Sequence, residues 1–199
     1  HSLSAFKKYE NHPNTELIIP VHFAGLAAHS KEIRELAGGR IVIEDASHSL
    51  GSRYECGRPV GCGAYADMSV FSFHPVKPIT TGEGGVIVTN SPDFAHRLRM
   101  LRTHGIERDS SMFENIEEGF EKGNKNTWYY EQQLLGFNYR LTDIQAALGL
   151  SQLKKLDQFI NQRRLIAGQY DAAFSNLKNI SRPQTTKNMA ERSGHHLYI

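Results

Sequence analysis

The chain has 199 residues, of which 39% are hydrophobic, and its 23 Lys and Arg nearly balance its 21 Asp and Glu, giving a formal net charge of +2. A chain of this length buries a sizeable core, and its balanced charge argues against an electrostatically driven nucleic-acid binder. No apolar run approaches the roughly 18 residues of a membrane span. The first 13 residues contain no apolar signal-peptide core.

The chain contains two cysteines, Cys56 and Cys62. Two are too few for a disulfide framework, and they favour a reducing compartment such as the cytoplasm. Their spacing suggests a metal site at first sight, but two thiolates do not complete a zinc site and no nearby pattern supplies the missing ligands. The sequence therefore predicts no bound metal.

The first predicted elements form a strand–helix–strand unit. Leu17–Phe23 predicts a buried strand, although the internal Pro20 weakens that prediction. Ser30 predicts the cap of a helix over about residues 31–37, which ends at two glycines. The apolar run Arg40–Asp45, which ends in two acids, predicts a second strand with carboxylates at its C-terminal end. Such a unit implies a parallel pair with a right-handed crossover.

The stretch Met68–Asn90 predicts a strand, an irregular turn and a second strand, because Pro75, Pro78 and three glycines exclude a helix between the β-prone ends. Lys77 lies in that turn, where the prolines stiffen the backbone. A rigid backbone gives no advantage to a solvated surface lysine. It does help a lysine whose amine must be positioned accurately against a carbonyl carbon. The alternative is a solvated loop lysine.

Lys77 and Asp45 together fit the chemistry of pyridoxal phosphate. A lysine amine forms an imine with this cofactor, and a carboxylate keeps its pyridine nitrogen protonated so that the ring accepts electrons. Asp45 also follows the predicted strand at the end where ligands of open α/β sheets bind. The residues alone therefore indicate a pyridoxal phosphate site.

The second half of the chain predicts mainly helices. Ser91 predicts the cap of a helix that runs to about His104. Residues 106–133 predict a long polar loop rich in aromatic residues, which packs on a subunit or a nucleotide. Thr142 and Gln145 form a capping box that begins another helix. Its apolar face comprises Ala146, Ala147, Leu150, Leu153, Leu156 and Ile160. The final residues, HHLYI, predict the beginning of a strand.

The run EDASHSLGSRYECGRPVGCGAYADMSVFSFHPVKPITTGEGGVIVTN resembles the DegT/DnrJ/EryC1/StrS family of sugar-nucleotide aminotransferases, and LGFNYRLTDIQAA matches a second motif of that family. The resemblance extends from PVHFAG to the end of the chain. It implies an α/β fold, the large domain of a fold-type-I pyridoxal phosphate-dependent transferase with a mostly parallel central sheet and flanking helices.

The resemblance also implies roles for individual residues. Lys77 would be catalytic and would hold the cofactor, while Asp45 would bind the pyridine nitrogen. His48 would lie near the cofactor ring, or be a hydrogen-bonded turn histidine. Ser72 would donate its hydroxyl to the cofactor phosphate. His74 would assist substrate binding or proton transfer, or simply pack in the turn.

Asn138 would reach the cofactor phosphate of the other subunit, so that each site of a homodimer needs both chains. The alternative is that Asn138 only shapes the turn before the helix.

The implied activity transfers an amino group from an amino acid, glutamate in the family, to a 4-keto-6-deoxy sugar nucleotide for surface-glycan biosynthesis. By the resemblance, residues 1–176 are part of the cofactor-binding large domain without its N-terminal phosphate-binding segment, and residues 177–199 begin the small C-terminal domain. We therefore expect the isolated chain to bind the cofactor weakly and to be inactive.

Three alternatives remain to be weighed. Sugar dehydratases of the same family carry histidine in place of the lysine, so Lys77 disfavours them. A non-catalytic sugar-nucleotide binding or interaction protein with the same fold would lack the cofactor's absorbance band. A P-loop hydrolase is excluded because no glycine-rich loop precedes a Lys-Ser/Thr pair.

Overall fold

The computed structural model describes residues 15–182 and 187–199. The prediction about a signal peptide concerns residues outside these ranges. The chain divides into two compact units, one formed by the residues up to Asn90 together with Asp143–Ile199, and the other by Ser91–Thr142. None of the helices in the described ranges is both long and apolar enough to cross a membrane.

The first unit is built on a four-stranded sheet whose strands lie in sequence order. The strands are β1 (Leu17–Ile18), β2 (Ile41–Asp45), β3 (Met68–Ser72) and β4 (Gly85–Val88). The pairs β1–β2 and β2–β3 are parallel, and β4 is antiparallel to β3. This arrangement confirms the predicted mostly parallel central sheet.

Helix α1 (Ser30–Leu36) connects the first two strands and covers one face of the sheet. Its buried Ile33 packs with Ile18 of β1 and Val42 of β2 in one apolar cluster. Because successive strand residues alternate between faces, β2 buries Val42 and Glu44 and leaves Asp45 partly exposed. The predicted strand–helix–strand unit is confirmed.

Two local predictions for this region are wrong. The first strand ends at Ile18 instead of Phe23, because Pro20 has no amide proton to continue the ladder; its carbonyl still accepts from the Asp45 N–H at 2.9 Å. Ser30 is not the helix cap. It is the first helical residue, and its hydroxyl donates to Glu44 Oε1 at 2.8 Å.

The second unit begins with helix α2 (Pro92–Leu101), capped by Ser91 Oγ, which accepts from the Phe94 N–H at 3.3 Å. The cap is as predicted, but the helix ends before His104, whose φ of +60° is incompatible with a continuing helix.

The predicted long loop of residues 106–133 contains regular structure. Its elements are β5 (Ile106–Glu107), α3 (Ile116–Gly119), β6 (Phe120–Glu121), β7 (Asn124–Lys125) and β8 (Glu131–Gln132). Strands β5 and β8 pair, as do β6 and β7. Each strand has only two residues, too few to show an alternating pattern in the sequence. The Phe113 ring lies 5.0 Å from Tyr129 and 6.2 Å from Phe120, so these aromatics pack within the unit.

Three helices complete the first unit, namely α4 (Asp143–Leu153), α5 (Leu156–Phe174) and α6 (Lys187–Arg192). Helix α4 begins directly after Thr142, as predicted. Along the predicted apolar face, α4 has no buried residue, whereas Ile160 of α5 is buried. Periodicity marks an apolar face but does not say what covers it.

The predicted final strand is also wrong, because residues 193–199 are irregular. His195 has a φ of +44°, which turns the chain out of extended geometry. Two backbone hydrogen bonds join these residues to the loop before α1, from Gly194 N–H to the Gly25 carbonyl at 2.9 Å and from Leu197 N–H to the Ala24 carbonyl at 3.3 Å.

Candidate functional site

The candidate site lies at the edge of the sheet where β2 and β3 end. Asp45, the last residue of β2, pairs with Val70, and β3 ends two residues later at Ser72. Both strands are parallel and therefore end at the same edge. The chain then returns through residues 73–84 to the antiparallel β4. Lys77 lies in this returning loop, beyond the strand end that neighbours Asp45.

Hydrogen bonds fix the loop that carries Lys77. The Lys77 N–H donates to the His74 carbonyl at 3.0 Å, which closes a turn. The carbonyl of Phe73 accepts from the Thr81 N–H at 3.0 Å and from the Thr80 hydroxyl at 2.9 Å. Lys77 itself is half-buried. The backbone that presents its amine is therefore held on both sides.

Asp45, His48 and Lys77 are brought together. The Nδ1 atom of His48 accepts from the Ala24 N–H at 3.3 Å, so the neutral ring carries its proton on Nε2. Burial lowers the pKa of His48, the positive charge of Lys77 lowers it further, and the carboxylate of Asp45 opposes both. The lowered pKa favours the neutral form of His48 at pH 7. Asp45 Oδ1 also accepts from the Ser47 N–H at 3.1 Å.

Ser72 and His74 lie at the same sheet edge as Lys77, and both make local turn contacts. Ser72 Oγ accepts from the His74 N–H at 3.3 Å, which leaves its hydroxyl proton available as a donor. His74 Nδ1 accepts from the Val76 N–H at 3.4 Å, and its Nε2 lies 4.0 Å from Glu83 Oε1. His74 is exposed, so the turn-packing alternative and the substrate role both remain open.

Asn138 belongs to the second unit, where it forms an isolated antiparallel bridge with Thr103. Its Oδ1 accepts from Arg140 Nη2 at 3.4 Å. The side chain is exposed. Its expected role at the phosphate stays a prediction.

Comparison with known proteins identifies the family. The family described as "DegT/DnrJ/EryC1/StrS aminotransferase family" matches residues 10–199. This chain belongs to that family. It is 41% identical over 167 residues to the UDP-4-amino-4,6-dideoxy-N-acetyl-beta-L-altrosamine transaminase of Campylobacter jejuni strain 81-176, an alignment that covers 83% of this chain and 39% of that protein. It is 39% identical over 186 residues to an uncharacterised protein of Methanocaldococcus jannaschii, covering 92% of this chain and 45% of that protein.

Solved structures of aminotransferases share the fold. Helicobacter pylori PseC, described as an aminotransferase in pseudoaminic acid biosynthesis, superposes with a TM-score of 0.82 at 33% identity, over 98% of this chain and 47% of PseC. A putative sugar aminotransferase of Streptococcus pneumoniae, solved in a PMP form, gives a TM-score of 0.72 at 28% identity, over 92% of this chain and 48% of that chain. This member therefore spans less than half the length of these relatives.

Sequence analysis did not identify two residues at the candidate site of this DegT-family chain. The ring of His196 packs against that of His48, tilted by 44° with centroids 4.4 Å apart, and Arg163 on α5 donates to the carbonyls of His195 and His196. Burial, then the charges of His48, Lys77 and Arg163, lower the pKa of His196 to about 4. A histidine near the end of an expected strand carries no sequence signal for this contact, which depends on how residues 193–197 pack.

A buried polar network lies beneath this site and is centred on Glu44. Glu44 Oε1 accepts from the Ser30 hydroxyl at 2.8 Å and lies 3.2 Å from His22 Nε2, while Oε2 accepts from the hydroxyls of Tyr54 and Ser69, both at 2.7 Å. Burial alone raises the pKa of Glu44, but the partners, led by His22, outweigh it and hold the pKa below its ordinary value. Glu44 is therefore ionised in the folded protein.

Proposed function

We propose that this chain forms part of a pyridoxal phosphate-dependent sugar-nucleotide transaminase. The observation that carries the proposal is the position of Lys77 in a fixed loop, beside His48 and next to the strand end that presents Asp45. An amine and a carboxylate at one sheet edge meet the requirements of this cofactor. The family membership of the chain supports the same conclusion.

The residues at the site fit pyridoxal phosphate. Lys77 offers an amine, Asp45 a carboxylate for the ring nitrogen, and Ser72 a hydroxyl donor for the phosphate. The buried Nδ1 of His196 has no hydrogen-bond partner in the part of the chain that the structure describes, so a polar group is still to be supplied there. When bound, the cofactor supplies an electron sink for the substrate's reacting carbon.

Each residue then has a definite task. Lys77 Nζ would hold the cofactor, and once freed by the substrate it would carry a proton between the substrate's reacting carbon and the cofactor's carbonyl carbon, acting first as base and then as acid. Asp45 holds the ring nitrogen in its protonated form. His48, being neutral, lies against the site without adding a second positive charge beside Lys77. Because the amino group is stored between half-reactions, the kinetics are ping-pong.

We infer that the acceptor is a 4-keto-6-deoxy sugar nucleotide and the donor an amino acid such as glutamate, within a pathway like that of pseudaminic acid. The named Campylobacter and Helicobacter relatives support this substrate class. Lys77 favours transamination over the dehydration that histidine-bearing family members perform. The exposed Cys56 and partly exposed Cys62 are free thiols, which supports a cytoplasmic location.

We further propose that the protein acts as a homodimer joined through α4. The exposed apolar side chains of this helix include Ile144 at 85%, Leu150 at 64% and Leu153 at 48% exposure. An apolar helix face this open to solvent marks an interaction surface. A second copy of the chain is the occupant that the family resemblance favours, and the expected phosphate role of Asn138 requires that copy.

The decisive experiment compares Lys77→Ala with Lys31→Ala, a change at an exposed lysine of α1. The protein is mixed with pyridoxal phosphate, reduced with borohydride and digested, and the modified peptide is identified by mass. We expect the modification on Lys77 in the wild type and in Lys31→Ala, and none in Lys77→Ala. A chain that contains the complete domain should also lose turnover with glutamate and a keto-sugar nucleotide by several orders of magnitude in Lys77→Ala.

Three results would contradict the proposal. Full turnover in Lys77→Ala would show that the lysine has no catalytic task. A wild-type protein that binds a keto-sugar nucleotide, yet shows neither cofactor absorbance nor a reducible lysine adduct, would indicate the non-catalytic binding protein instead. A deoxygenated rather than aminated sugar product would indicate the dehydratase.

A further inference from the structure

The segment that follows α6 lies across an early loop of the first unit. We call residues 193–196 the C-terminal segment. Gly194 N–H donates to the Gly25 carbonyl at 2.9 Å, and the Ser52 hydroxyl donates to the same carbonyl at 2.6 Å while accepting from Gly194 N–H at 3.0 Å. A Cβ on Gly25 would lie 2.8 Å from the His195 backbone nitrogen. The backbone of the C-terminal segment is therefore in close contact with Gly25 and Ser52.

Arg163 clamps this segment from helix α5. Its Nη1 donates to the carbonyls of His195 at 3.3 Å and His196 at 3.2 Å. Because His195 has a positive φ, the rings of His195 and His196 lie in different surroundings. The ring of His195 contacts the Ala190 carbonyl at 3.0 Å through Nε2, whereas the ring of His196 meets His48.

The ring of His48 is thereby restrained at several points. The Ala24 N–H donates to its Nδ1, Phe23 lies with its ring centroid 5.9 Å away, and His196 packs at 4.4 Å with an interplanar angle of 44°. His196 is 8% exposed. Among the described residues, nothing hydrogen-bonds its buried Nδ1. Packing against His48 is thus a defined ring contact of His196.

The charges around the two rings keep both neutral. Burial, His48, Lys77 and Arg163 all lower the pKa of His196, and burial and Lys77 lower that of His48, with Asp45 opposing. Protonating His196 would place a further positive charge beside Lys77 and Arg163, and protonating His48 would place one beside Lys77. The packed arrangement of the two rings therefore favours their neutral forms.

We propose that His196 is a positioning residue whose ring, fixed through Arg163 and the C-terminal segment, holds the ring of His48 in the one orientation in which its Nδ1 accepts from the Ala24 N–H. His196 acts through His48 and need not touch the reacting atoms. The consequence for catalysis rests on the proposed function. The restraint on the His48 ring is independent of that function, because it exists in the chain without cofactor.

The test uses nuclear magnetic resonance of the histidine rings in the 199-residue chain without cofactor. The variants are His196→Ala, which removes the ring, and His196→Phe, which replaces it with a ring that cannot titrate. In His196→Ala we expect the pKa of His48 to rise by about 0.5–1 unit as the ring becomes hydrated, and amide exchange at Ala24 to accelerate roughly tenfold. In His196→Phe both should remain near the wild-type values.

The control is His195→Gln, a change of the neighbouring histidine whose ring lies elsewhere, and it should leave His48 and Ala24 unchanged. A folded His196→Ala variant with an unchanged His48 pKa and unchanged Ala24 exchange would overturn the proposal. If the alanine variant does not fold, His196→Phe decides, because a His48 pKa at its ordinary value there would also overturn it. Failure of pyridoxal phosphate to attach to Lys77 would overturn the proposed function and leave these measurements unaffected.

Discussion

At the scale of single residues, two neighbouring carboxylates on β2 have separate tasks. Glu44 and Asp45 face opposite sides of the sheet because side chains alternate along a strand. Glu44 is fully buried among hydroxyl groups and His22, whereas Asp45 is half-buried beside His48. The first stabilises the fold beneath the site, and the second faces the site itself.

Replacing Glu44 should therefore act on stability. We expect Glu44→Gln to lower the free energy of unfolding by about 2 kcal/mol, because the amide offers one acceptor oxygen where several charged hydrogen bonds were made. The exposed Glu35→Gln is the control and should change it by less than about 0.5 kcal/mol. Urea unfolding measures both. An unchanged midpoint in Glu44→Gln would show that the network contributes nothing net.

The same group predicts a dependence of stability on pH. The pKa of Glu44 is lower in the folded than in the unfolded chain, so its contribution is complete above the ordinary value near 4.5 and is lost as pH falls below it towards the folded pKa. The difference in unfolding free energy between wild type and Glu44→Gln should shrink over that range. A difference that does not vary with pH would contradict the sign of this shift.

Replacing Asp45 should act on chemistry instead. In a chain with the complete domain, Asp45→Asn should retain attachment at Lys77 and lower turnover by about 10²-fold or more, because the ring nitrogen loses its charged partner. Asp67→Asn is the contrasting change. Asp67 accepts from Arg34 Nη1 and the Val42 N–H, both at 2.8 Å, so we expect lost stability there. Normal turnover in Asp45→Asn would assign Asp45 a structural task.

At the scale of elements, the loop before α1 and the C-terminal segment are in close backbone contact. Gly25 has a φ of +97°, and a Cβ there would approach the backbone nitrogens of His195 and His196 within 2.9 Å. Gly39 has a φ of +84°, and a Cβ there would have no neighbouring atom within 4 Å. The two glycines thus share the backbone strain and differ in the space around them.

This pair supplies a matched test. We expect Gly39→Ala to lower the free energy of unfolding by about 1–2 kcal/mol from backbone strain alone, and Gly25→Ala to lower it further because the C-terminal segment must move. Urea unfolding of the two variants gives the difference. Gly25→Ala should also release the restraint on His48, seen as a changed ring resonance. Equal losses in the two variants would mean that the close approach costs nothing.

At the scale of the whole molecule, the exposed face of α4 predicts self-association. Leu150→Glu should convert the proposed dimer to a monomer, because a charge would have to be desolvated in an apolar interface. The control is Ile116→Glu, a change at an exposed residue of α3 in the second unit. It should leave the mass of the dimer in solution unchanged. Sedimentation measures both. A wild-type chain that is monomeric at high concentration would contradict the proposed interface.

The sequence by itself predicted a mostly parallel sheet and the residues that we propose for the site. The apolar run before Asp45, the proline-flanked Lys77 and the family motifs are local patterns, so they are readable without coordinates. Helices α2 and α4 were predicted for the same reason from capping residues before their first turns, and α1 from the two glycines that follow it. Short strands such as β6 and β7 were not, because two residues carry no periodicity.

Only the tertiary structure decided which distant residues complete the site. His196 and Arg163 lie more than 80 residues from Lys77 in sequence, and their meeting depends on the seating of the C-terminal segment against Gly25 and Ser52. The burial of Glu44 likewise depends on four partners from separate elements. Such contacts follow from packing between segments, which local propensity and spacing do not encode.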